Sequence, residues 1–385
     1  MGLLSALLAV VLLGDVARTA SVTIPQPSGQ YGVALKTVEL VNTGMLDPYA
    51  PSKQNRRIVL SAFYPTSMRR GCQHIQTPYM PPATAEVYDQ LYSSIGLPNG
   101  TFGALELTLC SPRTTPQRRN RVQHPIVVFS PGLSNSRLIY SSVAANLAAQ
   151  GFVVLTVDHP YDGAIVEFPD GSFVLATDID TDEQIEAALA VRTKDIKFVN
   201  QQLQNRTLTQ DLFKGIYGSV DLRQRFAHGH SLGGATAAAT MLEDNKFLGG
   251  INLDGTFFGD VVAKGLDRPF MIFAHEGKNL TTDQSWADLW SHLRSSKFEA
   301  SVKGTAHGSY TDFPMLLDVL GLRALLPADL AGELVGTISG SRMLEILSTS
   351  TASFFRFVGC QISSGQLKRT LSQFPEVAVL NATVV

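Results

Sequence analysis

Short, unbroken apolar runs alternate with longer amphipathic stretches along most of this chain. Pro125-Ile126-Val127-Val128-Phe129-Ser130 and Phe152-Val153-Val154-Leu155-Thr156-Val157 present no polar face. Runs of that kind read as strands covered on both sides of a sheet. Between them, Leu138, Ile139, Val143 and Leu147 recur at helical spacing, and Gly151 stands where a glycine ends a helix. Strand, helix, strand at this spacing is a βαβ unit. The alternation continues. A helix is predicted over Thr181–Leu203, with Asp182 and Glu183 in its first turn, then a strand over Arg223–His228 and an alanine-rich helix over Leu232–Leu242. Strands follow at Leu248–Leu253, Phe270–Ala274 and Phe298–Val302, with a helix over Asp283–Ser295 and a closing amphipathic helix over Arg342–Val358. Two earlier strands, Val33–Val41 and Arg57–Tyr64, have only a Pro/Ser/Asn-rich link between them and are expected to pair antiparallel. The pattern predicts an α/β fold: a mostly parallel central sheet of about eight strands flanked by helices.

The first twenty residues stand apart. Leu3 to Leu13 is an unbroken small and apolar run, too short to span a bilayer and the right size for a signal-peptide core. The expected division is a signal peptide at 1–20 and a single catalytic domain at 21–385, with a loop-rich insertion around 65–123. No Lys or Arg precedes the run, so a retained N-terminal anchor is the alternative. Asn99, Asn205, Asn279 and Asn381 each have Thr two residues later, the acceptor pattern for N-glycosylation. These features together predict a secreted glycoprotein. Cys72 and Cys110 flank a segment rich in Pro, Thr and Tyr and could close it as a disulfide; with three cysteines the connectivity stays open. The chain has 385 residues, is 44% hydrophobic and carries a net charge of -2. That fits one large core and argues against a nucleic-acid binder, which needs a basic surface.

The chemistry centres on Gly229-His230-Ser231-Leu232-Gly233. G-x-S-x-G between a strand and a helix is the turn that presents a nucleophilic serine in α/β-hydrolases. A serine hydroxyl needs a base to take its proton and a carboxylate to hold that base in one tautomer. In this fold those partners follow in the order acid, then histidine. Asp254 ends the strand after the elbow helix and is the expected acid, with Asp260, Asp283 and Asp312 as fallbacks. His307, in the small-residue loop Gly304-Thr305-Ala306-His307-Gly308-Ser309, is the expected base. His275 and His292 are the other histidines after Asp254, read as an edge residue and a solvated helix residue. The oxyanion is expected to be held by the backbone N–H groups of Leu232 and Leu133. Leu133 lies in Ser130-Pro131-Gly132-Leu133-Ser134, where Pro131 has no N–H to give. His159 could line the pocket, and His74 and His124 read as loop residues. No histidine pair shows metal-ligand spacing, so no metal and no cofactor are expected. The run Phe313–Leu322, extended by Leu325 and Leu326, reads either as a core helix or as an apolar rim that takes an acyl chain or docks on lipid.

Four segments resemble the platelet-activating factor acetylhydrolases of the plasma and intracellular type II group. They are Val127-Val128-Phe129-Ser130-Pro131-Gly132-Leu133, Leu147-Ala148-Ala149-Gln150-Gly151-Phe152-Val153-Val154, Gly229-His230-Ser231-Leu232-Gly233-Gly234-Ala235-Thr236, and Lys303-Gly304-Thr305-Ala306-His307 followed by Asp312-Phe313. Pro131 departs from the family, where histidine is common. The resemblance, closest in style to secreted fungal members, implies Ser231 as nucleophile, Asp254 as acid, His307 as base, and Leu133 and Leu232 as oxyanion donors. It implies calcium-independent hydrolysis of short or oxidised sn-2 acyl esters of phospholipids. The expected partner is a small-molecule or lipid ester, with transient contact to a lipid surface. A general carboxylesterase, lipase or polyester hydrolase is the alternative within the fold; a non-catalytic binding protein is the alternative outside enzymes.

Overall fold

The computed structural model describes residues 21–112 and 122–385; the expected signal segment lies outside them. Nine strands make the main sheet: β1 (Tyr31–Leu46), β2 (Asn55–Met68), β3 (Gln123–Ser130), β4 (Val153–Val157), β5 (Ser219–His230), β6 (Phe247–Leu253), β7 (Phe270–His275), β8 (Lys297–Val302) and β9 (Val377–Thr383). Their order across the sheet is β1-β2-β4-β3-β5-β6-β7-β8-β9. The strands from β4 to β8 in that order all run parallel. β1 and β2 form the expected antiparallel hairpin, β2 lies antiparallel to β4, and β9 closes the far edge antiparallel to β8.

Both faces are covered, and the strand residues show why. On β3, Val127 and Phe129 pack on one side with helices α1 (Ser141–Ala149) and α5 (Gly340–Val358). Ile126 and Val128 pack on the other with α2 (Asp182–Gln202), α3 (Leu232–Glu243) and α4 (Gln284–His292). A strand apolar at every position can satisfy two cores at once. α2 begins with a reciprocal capping box, Thr181 with Gln184, followed by Asp182 and Glu183 in the first turn. Those residues satisfy orphan N–H groups and favour the positive end of the helix dipole.

Two features add detail to the expected picture. The region around 65–123 is more ordered than a loop-rich insertion. Pro82 starts a helix, Pro82–Tyr92, where proline's missing N–H costs nothing. Val22–Ile24, Leu105–Cys110 and His74–Pro78 form a separate three-stranded sheet. Cys72 and Cys110 are joined as a disulfide at a Cα separation of 5.4 Å, and Cys360 is a free, exposed thiol. The ninth strand, Val377–Thr383, has only its first residue buried. An edge strand with little buried surface leaves a weak apolar signal. Among the described residues, no helix is long and apolar enough to cross a membrane.

Candidate active site

The turn between β5 and α3 holds Ser231 at φ 55° and ψ -128°, a left-handed conformation that a serine seldom adopts. The neighbouring glycines make it feasible. A Cβ on Gly229 would stand 2.1 Å from the Gly233 carbonyl oxygen, and one on Gly233 would stand 1.9 Å from the Ser130 carbonyl oxygen. Neither position has room for a side chain. The Ser231 N–H donates to the Leu253 carbonyl at 2.9 Å, which ties the elbow to the end of β6.

Asp254 follows directly on β6, also at positive φ (60°), and is fully buried. Its carboxylate meets two imidazoles. His307 Nδ1 donates to Oδ2 at 2.5 Å. His275 Nδ1 lies 2.8 and 2.7 Å from the two oxygens, and the His275 backbone N–H donates to Oδ1 at 3.1 Å. Burial alone would raise the Asp254 carboxyl. Hydrogen bonds from His275 and His307 and the Lys278 charge outweigh burial and hold it well below the usual carboxylate range. The carboxylate is therefore ionised at neutral pH, and His307, with its proton on Nδ1, keeps Nε2 free to accept one. The His307 side chain is half exposed while Asp254 is sealed, so the imidazole is the member that reaches solvent.

The loop after β3 lies against the serine. A Cβ on Gly132 would stand 3.2 Å from the Ser231 Cβ. The Gly132 N–H donates to the Tyr140 hydroxyl at 3.1 Å, and that hydroxyl bonds His230 Nδ1 at 2.8 Å. Burial, then the neighbouring His307, lowers His230 to about 3, so its ring stays neutral. Its Nε2–H donates to the His307 carbonyl at 3.0 Å. The variable residue of the elbow thus links the glycine loop to the histidine turn. Neither the Leu133 nor the Leu232 N–H has a hydrogen-bond partner among the described residues. Two unpaired N–H groups beside a serine can receive an oxyanion.

Other residues fall elsewhere. Asp260 lies on a short surface helix, Asp283 caps α4, and Asp312 is buried beneath the Tyr79 hydroxyl and the Ser142 and Val143 N–H groups. His292 is exposed on α4. His124 is a buried residue of β3 bonded to the Gly151 and Tyr217 carbonyls, not a loop residue. His159 is buried and bonded at both ring nitrogens, so it lines no open pocket. Leu316 is buried and Leu320 packs on the core. The run after His307 is therefore a core helix at those positions, and exposure moves on to Leu325 and Leu334. His275 was not legible as a site residue. Its place at the end of β7, next to β6, which Asp254 follows, was the available signal. Asp254, His275 and His307 bring potential ligand atoms within 4.8 Å of one another, a clustering that sequence spacing did not reveal. Cys72 and Cys110 also cluster with His74, but their sulfurs are spent on the disulfide. A cleft of about 1620 Å³ runs between the insertion and β1–β2, and its lining includes none of Ser231, Asp254 and His307. Asn99, Asn205 and Asn381 are exposed and Asn279 is half-buried.

A family model described as platelet-activating factor acetylhydrolase, isoform II, matches residues 16–210 and 206–326. A probable 1-alkyl-2-acetylglycerophosphocholine esterase of Arthroderma benhamiae is 28% identical over 381 residues, covering 94% of this chain and 95% of that protein. The platelet-activating factor acetylhydrolase of Cavia porcellus is 23% identical over 350 residues, covering 82% of this chain and 76% of that protein. Among solved structures, a ferulic acid esterase from Streptomyces cinnamoneus superposes with a TM-score of 0.75 at 29% identity, covering 94% of this chain and 100% of that one. The fold is that of the α/β-hydrolases, and the chain is a carboxylic ester hydrolase belonging to the platelet-activating factor acetylhydrolase, isoform II family.

Proposed function

We propose that this protein is a secreted serine esterase that cleaves short acyl esters, with the sn-2 acetyl group of platelet-activating-factor-like phospholipids as its substrate class. The carrying observation is the His307–Asp254 hydrogen bond of 2.5 Å, set beside a strained serine elbow that two unpaired N–H groups face. Ser231 Oγ attacks the ester carbonyl while His307 Nε2 takes its proton. The carbonyl oxygen becomes an oxyanion held by the Leu133 and Leu232 N–H groups. Collapse expels the alcohol, which takes the proton from His307, and leaves an acyl-serine. Water, deprotonated by the same nitrogen, then releases the carboxylic acid and restores Ser231.

The acyl preference draws on relatives named as acetylhydrolases and as an acetylglycerophosphocholine esterase. The ferulic acid esterase likeness supports a second reading, a general carboxylesterase with a wider pocket. The apolar run Leu3–Leu13, the exposed sequons Asn99, Asn205 and Asn381, and the Cys72–Cys110 disulfide support secretion and glycosylation. Contact with lipid is supported by Leu325, 76% exposed, and Leu334, 37% exposed. Leu334 belongs to the helix Ala328–Val335, which packs on the turn carrying His307.

A fluorophosphonate probe tests the chemistry. It should label the wild-type protein, and Ser231→Ala should abolish labelling; folded wild-type protein that stays unlabelled would refute the esterase reading. An ester panel then decides between the substrates. Fastest turnover of acetyl phospholipid supports the first reading, and preference for feruloyl or longer esters supports the second.

A further inference from the structure

The two oxyanion donors differ in how they are fixed. The Leu232 N–H is the first of α3 and points where the helix points. Leu133 sits in an irregular loop, where its own segment fixes its peptide by a single turn hydrogen bond, from the Asn135 N–H to the Gly132 carbonyl at 3.2 Å. A trans peptide is planar, so a carbonyl and the N–H that follows it point to opposite sides. Whatever holds the Gly132 carbonyl therefore aims the Leu133 N–H.

Beyond that turn bond, the holder is Arg192, on α2. Its Nη2 donates to the Gly132 carbonyl at 3.1 Å and its Nη1 to the Pro131 carbonyl at 2.5 Å. The second contact turns the Gly132 N–H the other way, and there it meets the Tyr140 hydroxyl. A Cβ on Gly132 would stand 3.3 Å from that hydroxyl and 3.2 Å from the Ser231 Cβ, so Ser231 lies on the Tyr140 side of the loop. Arg192 is buried and is itself clamped: Nε donates to Asp162 at 2.6 Å, and Nη2 bonds the other Asp162 oxygen. The Asp162 carbonyl in turn accepts the Ser134 N–H at 3.2 Å.

A second buried chain steadies the root of the loop. Ser130 Oγ lies 2.9 Å from His159 Nε2, and His159 Nδ1 lies 2.9 Å from Asp195, which Arg56 grips with two nitrogens at 3.0 and 2.7 Å. Asp195 stands one helical turn beyond Arg192 on α2. All of these side chains are buried, so none can touch substrate.

We infer that Arg192 is a positioning residue for the esterase reaction: by gripping the Pro131 and Gly132 carbonyls from behind, it aims the Leu133 N–H at the oxyanion. The inference rests on the esterase reading above. Lysine keeps the charge at this position, but one ammonium group cannot span both carbonyls and Asp162 with fixed geometry.

The test compares full-length wild type with Arg192→Lys, each normalised by fluorophosphonate titration of Ser231. In the variant, kcat per titrated site should fall about 10- to 100-fold, the range set by loss or misplacement of an oxyanion donor, with KM within about twofold. Affinity for a trifluoromethyl ketone, which forms an oxyanion on Ser231, should fall by the same factor as kcat/KM. Affinity for the product carboxylic acid should not move. A kcat within twofold of wild type, or a rise in KM alone, would overturn the inference. Should Arg192→Lys fail to fold, Asp162→Asn loosens the same guanidinium without emptying its site; it should show the same split at smaller size, and unchanged kcat there would equally overturn it. Wild-type protein that resists the probe would instead refute the esterase reading.

Discussion

His275 holds the Asp254 carboxylate twice, through its ring Nδ1 and through its own backbone N–H. One histidine thus anchors the acid from the β7 side while His307 draws on Oδ2 from the other. His275→Asn should leave Ser231 reactive to fluorophosphonate but let the carboxylate swing. The expected cost is about tenfold in kcat, because a small misplacement of a catalytic group is expensive. His307→Asn should abolish labelling. Steady-state kinetics of the two variants, side by side, checks the distinction; equal losses would place His275 on the reaction path itself.

The depressed Asp254 carboxyl sets a pH dependence. A group whose folded value lies below its unfolded value stabilises the protein above the unfolded value, about 3.9 for aspartate. That contribution is lost as pH falls through the folded value. The stability gap between wild type and Asp254→Asn should therefore be constant from pH 6 down to about 4 and shrink below it. Urea unfolding at a series of acidic pH values reads this directly. At neutral pH, Asp254→Asn should also lower kcat by a factor on the order of ten thousand, since the amide no longer selects the productive tautomer.

Leu325 and Leu334 are exposed, and Leu334 lies against the histidine turn. Replacing both by Ser should lower hydrolysis of vesicle-borne phospholipid about tenfold through weaker surface docking. Turnover of a soluble short ester should stay within about twofold. Paired assays on vesicles and on the soluble ester decide the matter, and equal losses would point to folding instead.

The Cys72–Cys110 bridge closes a sequence separation of 38 residues. On the loop-closure argument it stabilises the fold by about 4 kcal/mol. The double variant Cys72→Ser/Cys110→Ser should unfold at correspondingly lower urea. A loss below about 1 kcal/mol would mean that the small sheet holds the insertion unaided.

Much of this was legible in the chain. The parallel strands were found because they are buried on both faces and so are apolar at every position. Ser231, Asp254 and His307 stood out as candidates because each follows a strand, where a sheet of this kind places its chemistry. The insertion was underestimated because its elements are short and punctuated by proline and glycine. β9 was missed because only its first residue is buried. His159 and Arg192 were unreadable for another reason: their partners lie 29 to 62 residues away, and a polar side chain that ends up in a core leaves no periodic trace.

The three groups of the candidate set, hydroxyl, imidazole and carboxylate, recur at Ser130, His159 and Asp195, where they are hydrogen-bonded in series in the interior. At the inner one, no water can arrive to finish a turnover and no ester can enter to begin it. A geometric template would accept this inner series, so alignment of atoms cannot be the criterion. What sets the two apart is traffic: the candidate set opens on bulk solvent through the half-exposed His307 ring, and the inner series opens on nothing.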